Sequence, residues 1–278
     1  MNFGTLSHLR VLMIGDAIYD RYVFVKPLGK SIKETVISVA YEREETYRGG
    51  VWAAAAHIRD MVAHVDVMHG PRVLTNTRYI EGVYHRKLFT LHEVSEQPAK
   101  ADFDIGSYDL VIVADFGHGT MKPALIERVT REAKFLAVNA QTNSSNFGFN
   151  LITKYPRADF VVIDELEARL AAHDKDSAIE DVIRSLGFDR IVVTLGSNGA
   201  IGFDNGMFFR EPALTREVVD TIGAGDAFLA VSSLFACVDC GIDEVVRMGN
   251  RAGAAKVRVL GHQRAVSIED LDGSRNQR

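Results

Sequence analysis

The sequence predicts an α/β fold in which a mainly parallel β-sheet is flanked by helices and accompanied by a second, smaller sheet. Short apolar runs alternate with helical stretches between Val11 and Leu260, which is typical of strands joined by helical crossovers. The chain has 278 residues, of which 47% are hydrophobic, and no internal repeat or low-complexity linker interrupts it. One large core suits a chain of this size, so we expect a single domain over residues 1–278.

Charge and composition argue against several classes of function. The net charge of -5 gives no electrostatic reason to bind nucleic acid or an anionic membrane. No apolar run reaches the length of a membrane span, and Met1–Arg10 lacks the apolar core of a signal peptide. The only cysteines, Cys237 and Cys240, are too few for a structural zinc site. We therefore expect a cytoplasmic protein with a small-molecule partner.

The first predicted strand, Arg10–Ile14, ends at Gly15 and is followed closely by two carboxylates, Asp16 and Asp20. Ligands of open α/β sheets bind beyond the carboxyl ends of the strands. Both carboxylates are therefore candidate site residues. The alternative is that they are solvated carboxylates of a turn.

Two segments predict a small separate sheet, which we interpret as a lid formed by about residues 20–48 and 76–96. Both contain short alternating stretches of apolar and charged residues. Gly49 and Gly50 follow the first segment and precede a predicted helix, Val51–Met61. Two glycines before a helix allow the backbone to approach a ligand closely.

Two further strands end in candidate site residues. Phe160–Ile163 leads into Asp164 and Glu167, whose three-residue spacing at a helix start directs both carboxylates to one side. Hard oxygen ligands suit Mg²⁺, although acidic residues also favour helix N-termini without any metal. Arg190–Leu195 leads into the turn Gly196-Ser197-Asn198-Gly199, which the phosphates of a nucleotide could approach.

The most informative segment is Val218–Phe228. Its run Gly223-Ala224-Gly225 precedes a buried helical stretch, Ala227–Phe235, so unpaired N–H groups and the helix dipole would form an anion site. Asp226 follows the run directly and could accept a proton from a hydroxyl that attacks a phosphorus atom. The alternative is that the small residues merely open a tightly packed helix.

The string Asp220-Thr221-Ile222-Gly223-Ala224-Gly225-Asp226 resembles the signature of ribokinase-like (PfkB) carbohydrate kinases. The segment Gly15–Tyr22 reads Gly-Asp-x-x-x-Asp-Arg-Tyr, which is similar to the opening of bacterial heptose-phosphate kinases. The resemblance spans Val11–Leu260. It implies a ribokinase-like three-layer α/β/α domain whose small β-sheet lid covers the sugar and pairs two lids in a homodimer.

The resemblance also assigns a role to each candidate residue. It makes Asp226 the catalytic base and Gly223-Ala224-Gly225 the anion hole. The expected contacts with the sugar are Asp20, Gly49 and Gly50. The expected contacts with ATP are Thr194, Gly196, Gly199 and Asn250, the last beside the adenine. The expected ligands of Mg²⁺ are Asp164, in place of the family's Asn, and Glu167. A potassium ion is expected beside Asp220-Thr221-Ile222.

Three departures from the family pattern concern the acceptor. Val51–His57 contains no Asn that could hydrogen-bond the sugar, His118 stands where relatives carry Lys, and residues 139–146 replace an Asp-Pro-Lys. These changes predict a more neutral pocket that tolerates acceptors without a phosphate. We expect an ATP-dependent kinase of a sugar or sugar phosphate, with D-glycero-D-manno-heptose 7-phosphate as the leading acceptor.

Two alternatives remain open from the sequence. One is a kinase of another carbohydrate or of a nucleoside. The other is a catalytically weak member of the fold that binds a ligand or regulates another protein, and the same departures suggest it. Retention of Asp226 behind its small-residue turn speaks against this second alternative.

Overall fold

The computed structural model of the protein describes residues 3–84, 86–93 and 103–272. Its strands, numbered in chain order, are β1 (Arg10–Gly15), β2 (Ala17–Lys30), β3 (Ile37–Gly50), β4 (His64–Met68), β5 (Leu74–Glu81), β6 (Lys87–His92), β7 (Leu110–Asp115), β8 (Leu136–Ala140), β9 (Phe160–Asp164), β10 (Arg190–Thr194), β11 (Ala200–Asp204) and β12 (Met207–Glu211). Its α-helices are α1 (Val51–Ala56), α2 (Pro123–Glu132), α3 (Glu165–Ala172), α4 (Ile179–Ser185), α5 (Ala224–Cys237), α6 (Ile242–Lys256) and α7 (Ile268–Leu271). Short 3₁₀ turns lie at Phe3–His8, Ile105–Ser107, Ile152–Lys154 and Gly196–Asn198.

Eight strands form the main sheet in the order β12-β11-β10-β9-β8-β7-β1-β4. Strands β4, β1, β7, β8, β9 and β10 are parallel, and only the β11–β12 hairpin at one edge is antiparallel. The predicted mainly parallel sheet is therefore confirmed.

Helices cover both faces of this sheet, because successive side chains of a strand point to opposite sides. On β1, Val11 and Met13 pack into a core with residues of α1, α5 and α6. Leu12 and Ile14 pack into a second core with residues of α2, α3 and α4. The predicted three-layer α/β/α arrangement is confirmed.

The β11–β12 hairpin was not predicted from the sequence. Its turn is Asn205-Gly206, in which both residues have positive φ angles of 45° and 95°. An Asn-Gly pair between two apolar runs is a strong hairpin signal, because only such residues readily adopt the left-handed conformation that a tight turn requires. This signal was available in the sequence.

The second sheet has the order β3-β2-β5-β6. Strands β2 and β5 are parallel, whereas the two outer pairs are antiparallel. The sheet extends beyond the predicted lid at three points, since β2 begins at Ala17, β5 begins at Leu74 and β3 continues to Gly50. Residues 94–96 of the predicted lid lie outside the described residues.

The second sheet packs on the main domain through a small apolar cluster. Tyr22, Phe24 and Ile80 are its buried members, and Ile222 and Leu260 of the main domain pack against them. Ile222 directly precedes the Gly223-Ala224-Gly225 turn. The sheet is thus anchored beside the predicted anion site.

One smaller difference concerns the length of a helix. Helix α1 ends at Ala56, so the predicted helix Val51–Met61 is shorter than expected. In the described part of the chain, no helix is both long enough and apolar enough to span a bilayer.

Candidate active site

The candidate site lies at one edge of the main sheet, where the carboxyl ends of neighbouring parallel strands meet. Gly15 of β1 pairs with Ala114, and Asp115 of β7 pairs with Ala140. Thr194 of β10 pairs with Asp164 of β9. Candidate residues far apart in the chain therefore share one edge, where ligands of α/β sheets bind.

The turn before Asp226 has the geometry of an anion site. Helix α5 begins at Ala224, and Gly223 precedes it in the left-handed conformation with φ of 76°. The N–H groups in the first turn of a helix have no acceptor within the helix, so those of Gly225 and Asp226 can bind an anion. A Cβ atom added to Gly225 would meet nothing within 4 Å, so open space adjoins the turn.

Asp226 is buried in the first turn of α5, and Gln141 Nε2 donates a hydrogen bond of 3.1 Å to its Oδ1. Burial raises the pKa of Asp226 to about 6, against the opposing charge of His262 and with a contribution from Asp20. A base whose pKa lies near the working pH is both ionised and able to hold a proton. The structure thus places a carboxylate of suitable proton affinity beside the anion site.

Asp20 lies on β2 and is held by two basic side chains. Arg78 donates to its Oδ1, and His262 Nε2 lies 3.0 Å from its Oδ2. Burial alone would raise the pKa of Asp20, but the hydrogen bond to His262 and the charge of Arg78 outweigh it and lower the pKa. Asp20 is therefore a buried carboxylate that stays ionised.

Gly49 leaves the room that this arrangement needs. A Cβ atom there would lie 1.9 Å from Asp20 Oδ2 and 3.2 Å from His262 Nε2. The other ring nitrogen of His262, Nδ1, is buried and has no hydrogen-bond partner among the described residues. The Asp20–His262 contact therefore requires a residue without a side chain at position 49, whether or not Gly49 also contacts a ligand.

Asp16 and Gly50 brace the loop after β7. The backbone N–H groups of His118 and Thr120 donate to the Asp16 carboxylate over 3.1 Å and 3.2 Å. Gly50 has φ of 58°, and a Cβ atom there would lie 2.3 Å from the Asp16 carbonyl oxygen. The alternative that Asp16 and Asp20 are solvated turn carboxylates is wrong, because both are buried and paired.

Further polar groups surround Asp20 on the side of the second sheet. His92 Nδ1 lies 2.8 Å from the side-chain oxygen of Asn76. Burial lowers the pKa of His92, and the charges of Arg78 and His118 lower it further. Arg78 therefore adds to the pocket a charged group, paired with Asp20, that no local sequence pattern indicates.

Asp164 and Glu167 form a reciprocal cap at the start of α3. The Glu167 N–H donates to Asp164 Oδ1 over 2.7 Å, and the Asp164 N–H donates to Glu167 Oε2 over 2.8 Å. The Thr142 N–H donates to the remaining Glu167 oxygen over 2.9 Å. Burial and the nearby charge of Asp164 raise the pKa of Glu167 to about 8. The interpretation of these residues as a helix cap is confirmed.

These carboxylates also suit a cation that arrives with a nucleotide. Among residues 3–84, 86–93 and 103–272, no three His, Cys, Asp or Glu side chains converge as metal ligands. Mg²⁺ usually takes only one or two protein carboxylates and completes its shell with phosphate oxygens and water. The donor set of Asp164 and Glu167 fits that mode of binding and not a metal held by the protein alone.

The four predicted nucleotide contacts fall into two groups. Thr194 ends β10, and Gly196 follows with φ of 58° and no atom within 4 Å of an added Cβ. Gly199 is packed, since an added Cβ would lie 2.0 Å from the Glu211 carbonyl oxygen. Asn250 Nδ2 donates to the carbonyls of Glu211 and Pro212 over 3.3 Å and 3.1 Å. Gly199 and Asn250 thus fix the end of β12, whereas Thr194 and Gly196 border open space.

Behind the anion site, Asp220 accepts contacts from two strands of the second sheet and from the backbone of the main domain. Tyr22 of β2 donates its hydroxyl over 3.1 Å, and Lys87 of β6 contributes an ammonium at 2.9 Å. The Gly261 N–H donates to the same carboxylate over 3.0 Å. Lys256 Nζ donates to the Ile222 carbonyl over 2.8 Å, in the segment where a potassium ion was expected.

Sequence reasoning missed Lys256, His262 and Arg78 as site residues. A signal existed for Lys256, because it shares the buried face of α6 with Val245 and Ala252 at helical spacing. A lysine on an apolar face requires a buried partner. His262 and Arg78 carried no local signal, since their common partner is Asp20, far away in the chain.

Similarity to known proteins agrees with this geometry. The model of the pfkB family carbohydrate kinases matches residues 62–269. Similar sequences include "Bifunctional protein HldE" of Pelobacter propionicus, 22% identical, and of Trichlorobacter lovleyi, 24% identical, each over 97% of this chain. The chain spans 64% and 65% of the length of these two relatives.

Similar solved structures show the same fold. Ribokinase of Arabidopsis thaliana, solved with ribose and ATP, superposes with a TM-score of 0.71 at 15% identity and covers 95% of this chain and 97% of its own. Phosphofructokinase-2 of Escherichia coli, solved with potassium, superposes with a TM-score of 0.66 at 16% identity and with the same coverage. The fold and the match over most of the sequence agree: the chain belongs to the pfkB family of carbohydrate kinases.

Proposed function

We propose that this protein phosphorylates a hydroxyl group of a sugar or sugar phosphate bound between Asp20 and Asp226, with Asp226 as the general base. The observation that carries the proposal is the position of Asp226. It lies in the first turn of α5, beside an anion site that open space adjoins, with its pKa raised to about 6. A base and an anion site that share one helix start serve both the attacking hydroxyl and the transferred phosphoryl group.

In this mechanism Asp226 accepts the proton of the acceptor hydroxyl as the hydroxyl oxygen attacks the γ-phosphorus of ATP, and the bond from that phosphorus to the β–γ bridging oxygen breaks to release ADP. The N–H groups at the start of α5 stabilise the negative charge that develops on the phosphoryl oxygens. Asp20, ionised and fixed by Arg78 and His262, accepts hydrogen bonds from other hydroxyls of the sugar and orients it. The second sheet acts as a lid that excludes water from the transfer.

For the nucleotide, we propose that Thr194 and Gly196 border the phosphates, while Gly199 and Asn250 shape the same pocket from behind. Asp164 and Glu167 would hold Mg²⁺, which neutralises phosphate charge during transfer. Replacing Glu167 with Gln should raise the Mg²⁺ concentration needed for half-maximal rate several-fold. Glu165→Gln on the same helix turn is the control. An unchanged requirement in Glu167→Gln would contradict the assignment.

The leading acceptor is D-glycero-D-manno-heptose 7-phosphate, phosphorylated at position 1. Support comes from the heptose-type opening Gly15–Tyr22 and from the HldE relatives, which match nearly the whole chain. Arg78 also places a guanidinium group beside Asp20, where a phosphorylated acceptor could meet it. The second candidate is an unphosphorylated sugar, since the ion pair with Asp20 already neutralises Arg78.

The test is ADP production with one enzyme preparation across heptose 7-phosphate, hexose phosphates, unphosphorylated sugars and nucleosides. We expect kcat/KM to be highest for a sugar phosphate. A clear preference for unphosphorylated sugars would support the second candidate. Turnover of no acceptor, with ATP still bound, would favour a ligand-binding member of the fold.

We also propose that the protein forms a homodimer through the lid. Several apolar side chains of the second sheet are exposed, namely Leu28, Ile37, Tyr41, Phe89 and Leu91. Large exposed apolar side chains, where they cluster, are typical of an interaction surface. Sedimentation should show a dimer that Ile37→Asp and Leu91→Asp convert to a monomer, and a monomeric wild type would contradict the proposal. A cytoplasmic location stays a prediction.

A further inference from the structure

Lys256 is a buried cation that the catalytic scheme above does not use. It is the last residue of α6 and is only 1% exposed. Removing an ammonium group from water is costly unless polar partners replace the water. Its Nζ donates hydrogen bonds to two backbone carbonyls, that of Ile222 over 2.8 Å and that of Gly261.

The two carbonyls belong to segments that frame the site. Ile222 directly precedes the Gly223-Ala224-Gly225 turn, and Gly261 directly precedes His262, the partner of Asp20. The N–H groups of the same two residues donate to the Asp220 carboxylate, over 3.3 Å from Ile222 and 3.0 Å from Gly261. The Asp220 carboxylate thus binds the backbone N–H groups of Ile222 and Gly261, and the Lys256 ammonium binds their carbonyl groups.

Backbone carbonyls that converge on a positive charge can equally hold a dehydrated monovalent metal ion, because carbonyl oxygens replace its hydration shell. Here the space beside Gly223 is filled, although the space beside Gly225 is open. A Cβ atom added to Gly223 would lie 3.2 Å from Lys256 Cε and 2.7 Å from His262 Cε1. The Lys256 side chain therefore lies against the turn, and its ammonium has the carbonyls that a separate ion would need.

We propose that Lys256 is a built-in monovalent cation: its ammonium orders the anion-hole turn and the Gly261–His262 segment, so that the enzyme needs no potassium. Lys256 acts as a positioning residue, because its contacts are with the backbone of these segments and not with the reacting groups. The charge of Lys256 also opposes the effect of burial on the pKa of Asp226. The potassium ion expected from the family resemblance is thus replaced by a side chain.

The experiment compares potassium, sodium and tetramethylammonium chlorides at equal ionic strength. Wild type should show the same melting temperature in all three salts, and its kcat should vary by less than about twofold. Lys256→Ala removes the ammonium and opens space beside the two carbonyls. Its melting temperature should rise in potassium or ammonium relative to tetramethylammonium, and its kcat should fall by at least roughly tenfold and recover partly in those salts.

Lys175→Ala removes an exposed lysine and is the matched control, with no response expected to any cation. Lys256→Met keeps the volume of the side chain and replaces Lys256→Ala if the alanine variant does not fold. It should show the same loss of kcat without rescue. Acceptor and ATP KM values are measured alongside. A folded Lys256→Ala that loses kcat and recovers in no salt has a turn that is merely loosened, and this result would overturn the proposal.

The proposal depends on the proposed function only for the kinetic readout. The melting temperatures report cation binding even if no acceptor is turned over. The proposal is overturned if wild type has a clearly higher melting temperature, or a several-fold higher kcat, in potassium than in tetramethylammonium. A folded Lys256→Ala that keeps wild-type kcat and responds to no cation overturns it as well.

Discussion

The acceptor side and the nucleotide side of the site differ in how far they are fixed in advance. On the acceptor side, Asp16, Asp20 and Asp220 are all buried, and each carboxylate is bound by two or more donors. On the nucleotide side, Gly196 borders open space and Asp164 is exposed to solvent. On the proposed assignment, the sugar would meet a preorganised pocket, whereas the nucleotide and its cation would complete a site that is open without them.

Asp226 lies between the two sides, and its replacement should have the largest effect. Asp226→Asn keeps the shape of the side chain but cannot take the hydroxyl proton. We expect kcat to fall by about 10²–10⁴-fold, the usual contribution of a general base, with ATP affinity largely unchanged. Turnover and ATP titration measure the two quantities. Asp176→Asn, at an exposed loop position, is the control, and a near wild-type kcat in Asp226→Asn would refute the assigned role.

Breaking the acceptor side alone should be the next largest effect. Asp20→Asn removes the charge that pairs with Arg78 and His262 and should raise the KM for the acceptor. Hydrogen bonds to charged groups contribute about 1.5–3 kcal/mol, so kcat/KM for the acceptor should fall roughly 10–100-fold. The KM for ATP should stay the same, as it should in the control Asp60→Asn. Equal losses for both substrates would show that the two sides are not separable.

The pH dependence of kcat/KM sharpens the position of the base. Burial raises the pKa of Asp226 to about 6, so its reactive ionised form is lost as pH falls through that value. The rate should be level above pH 7 and should decrease about tenfold per pH unit below 6. Asp226→Asn, assayed at high enzyme concentration, should lack this acidic limb. A limb that persists in the variant would belong to another group.

Substitution of two glycines on the nucleotide side should have the smallest effects, and the two losses of stability should differ. Gly196→Ala places a methyl group in open space at positive φ and should cost about 1–2 kcal/mol of unfolding free energy. Gly199 has φ of 90° and ψ of -131°, a conformation that residues with a side chain tolerate less well, and an added Cβ also collides with the Glu211 carbonyl oxygen, so Gly199→Ala should cost more. Urea denaturation compares them. Equal losses of unfolding free energy in the two variants would mean that the whole loop after β10 is tightly fixed, as the acceptor pocket is.

Local patterns account for what the sequence could predict. Each of two site features lies within a few residues of the chain, namely the turn before Asp226 and the Asp164–Glu167 pair. The geometry of each follows from the start of its own helix, α5 or α3. The fold followed from the alternation of strands and helices, although the β11–β12 hairpin escaped notice despite its Asn-Gly turn. These features needed no knowledge of distant contacts.

The acceptor pocket was harder to predict because its contacts join distant segments. Asp20 is bound by Arg78 from another strand of the lid and by His262 from the end of the chain, and no spacing indicates either contact. The structure shows a packing role for Gly49 at the same place, which a pair of glycines in a sequence cannot distinguish from a ligand contact. The charge of the pocket depends on such distant partners as well as on single substitutions such as His118, so the more neutral pocket stays a prediction.

The contacts of Asp220 have a consequence for how the molecule opens. Its carboxylate joins β2 through Tyr22 and β6 through Lys87 to the backbone at Ile222 and Gly261. Tyr22 and Lys87 are 198 and 133 residues away from Asp220 in the chain. Detaching the whole lid would leave a buried charge without its partners, which couples the lid to the cooperative unfolding of the main domain. Partial opening costs little free energy only at the exposed ends of β2 and β3, away from the contacts of Asp220. There the amide hydrogens exchange through local fluctuations, while those around Tyr22 exchange only when the domain itself unfolds.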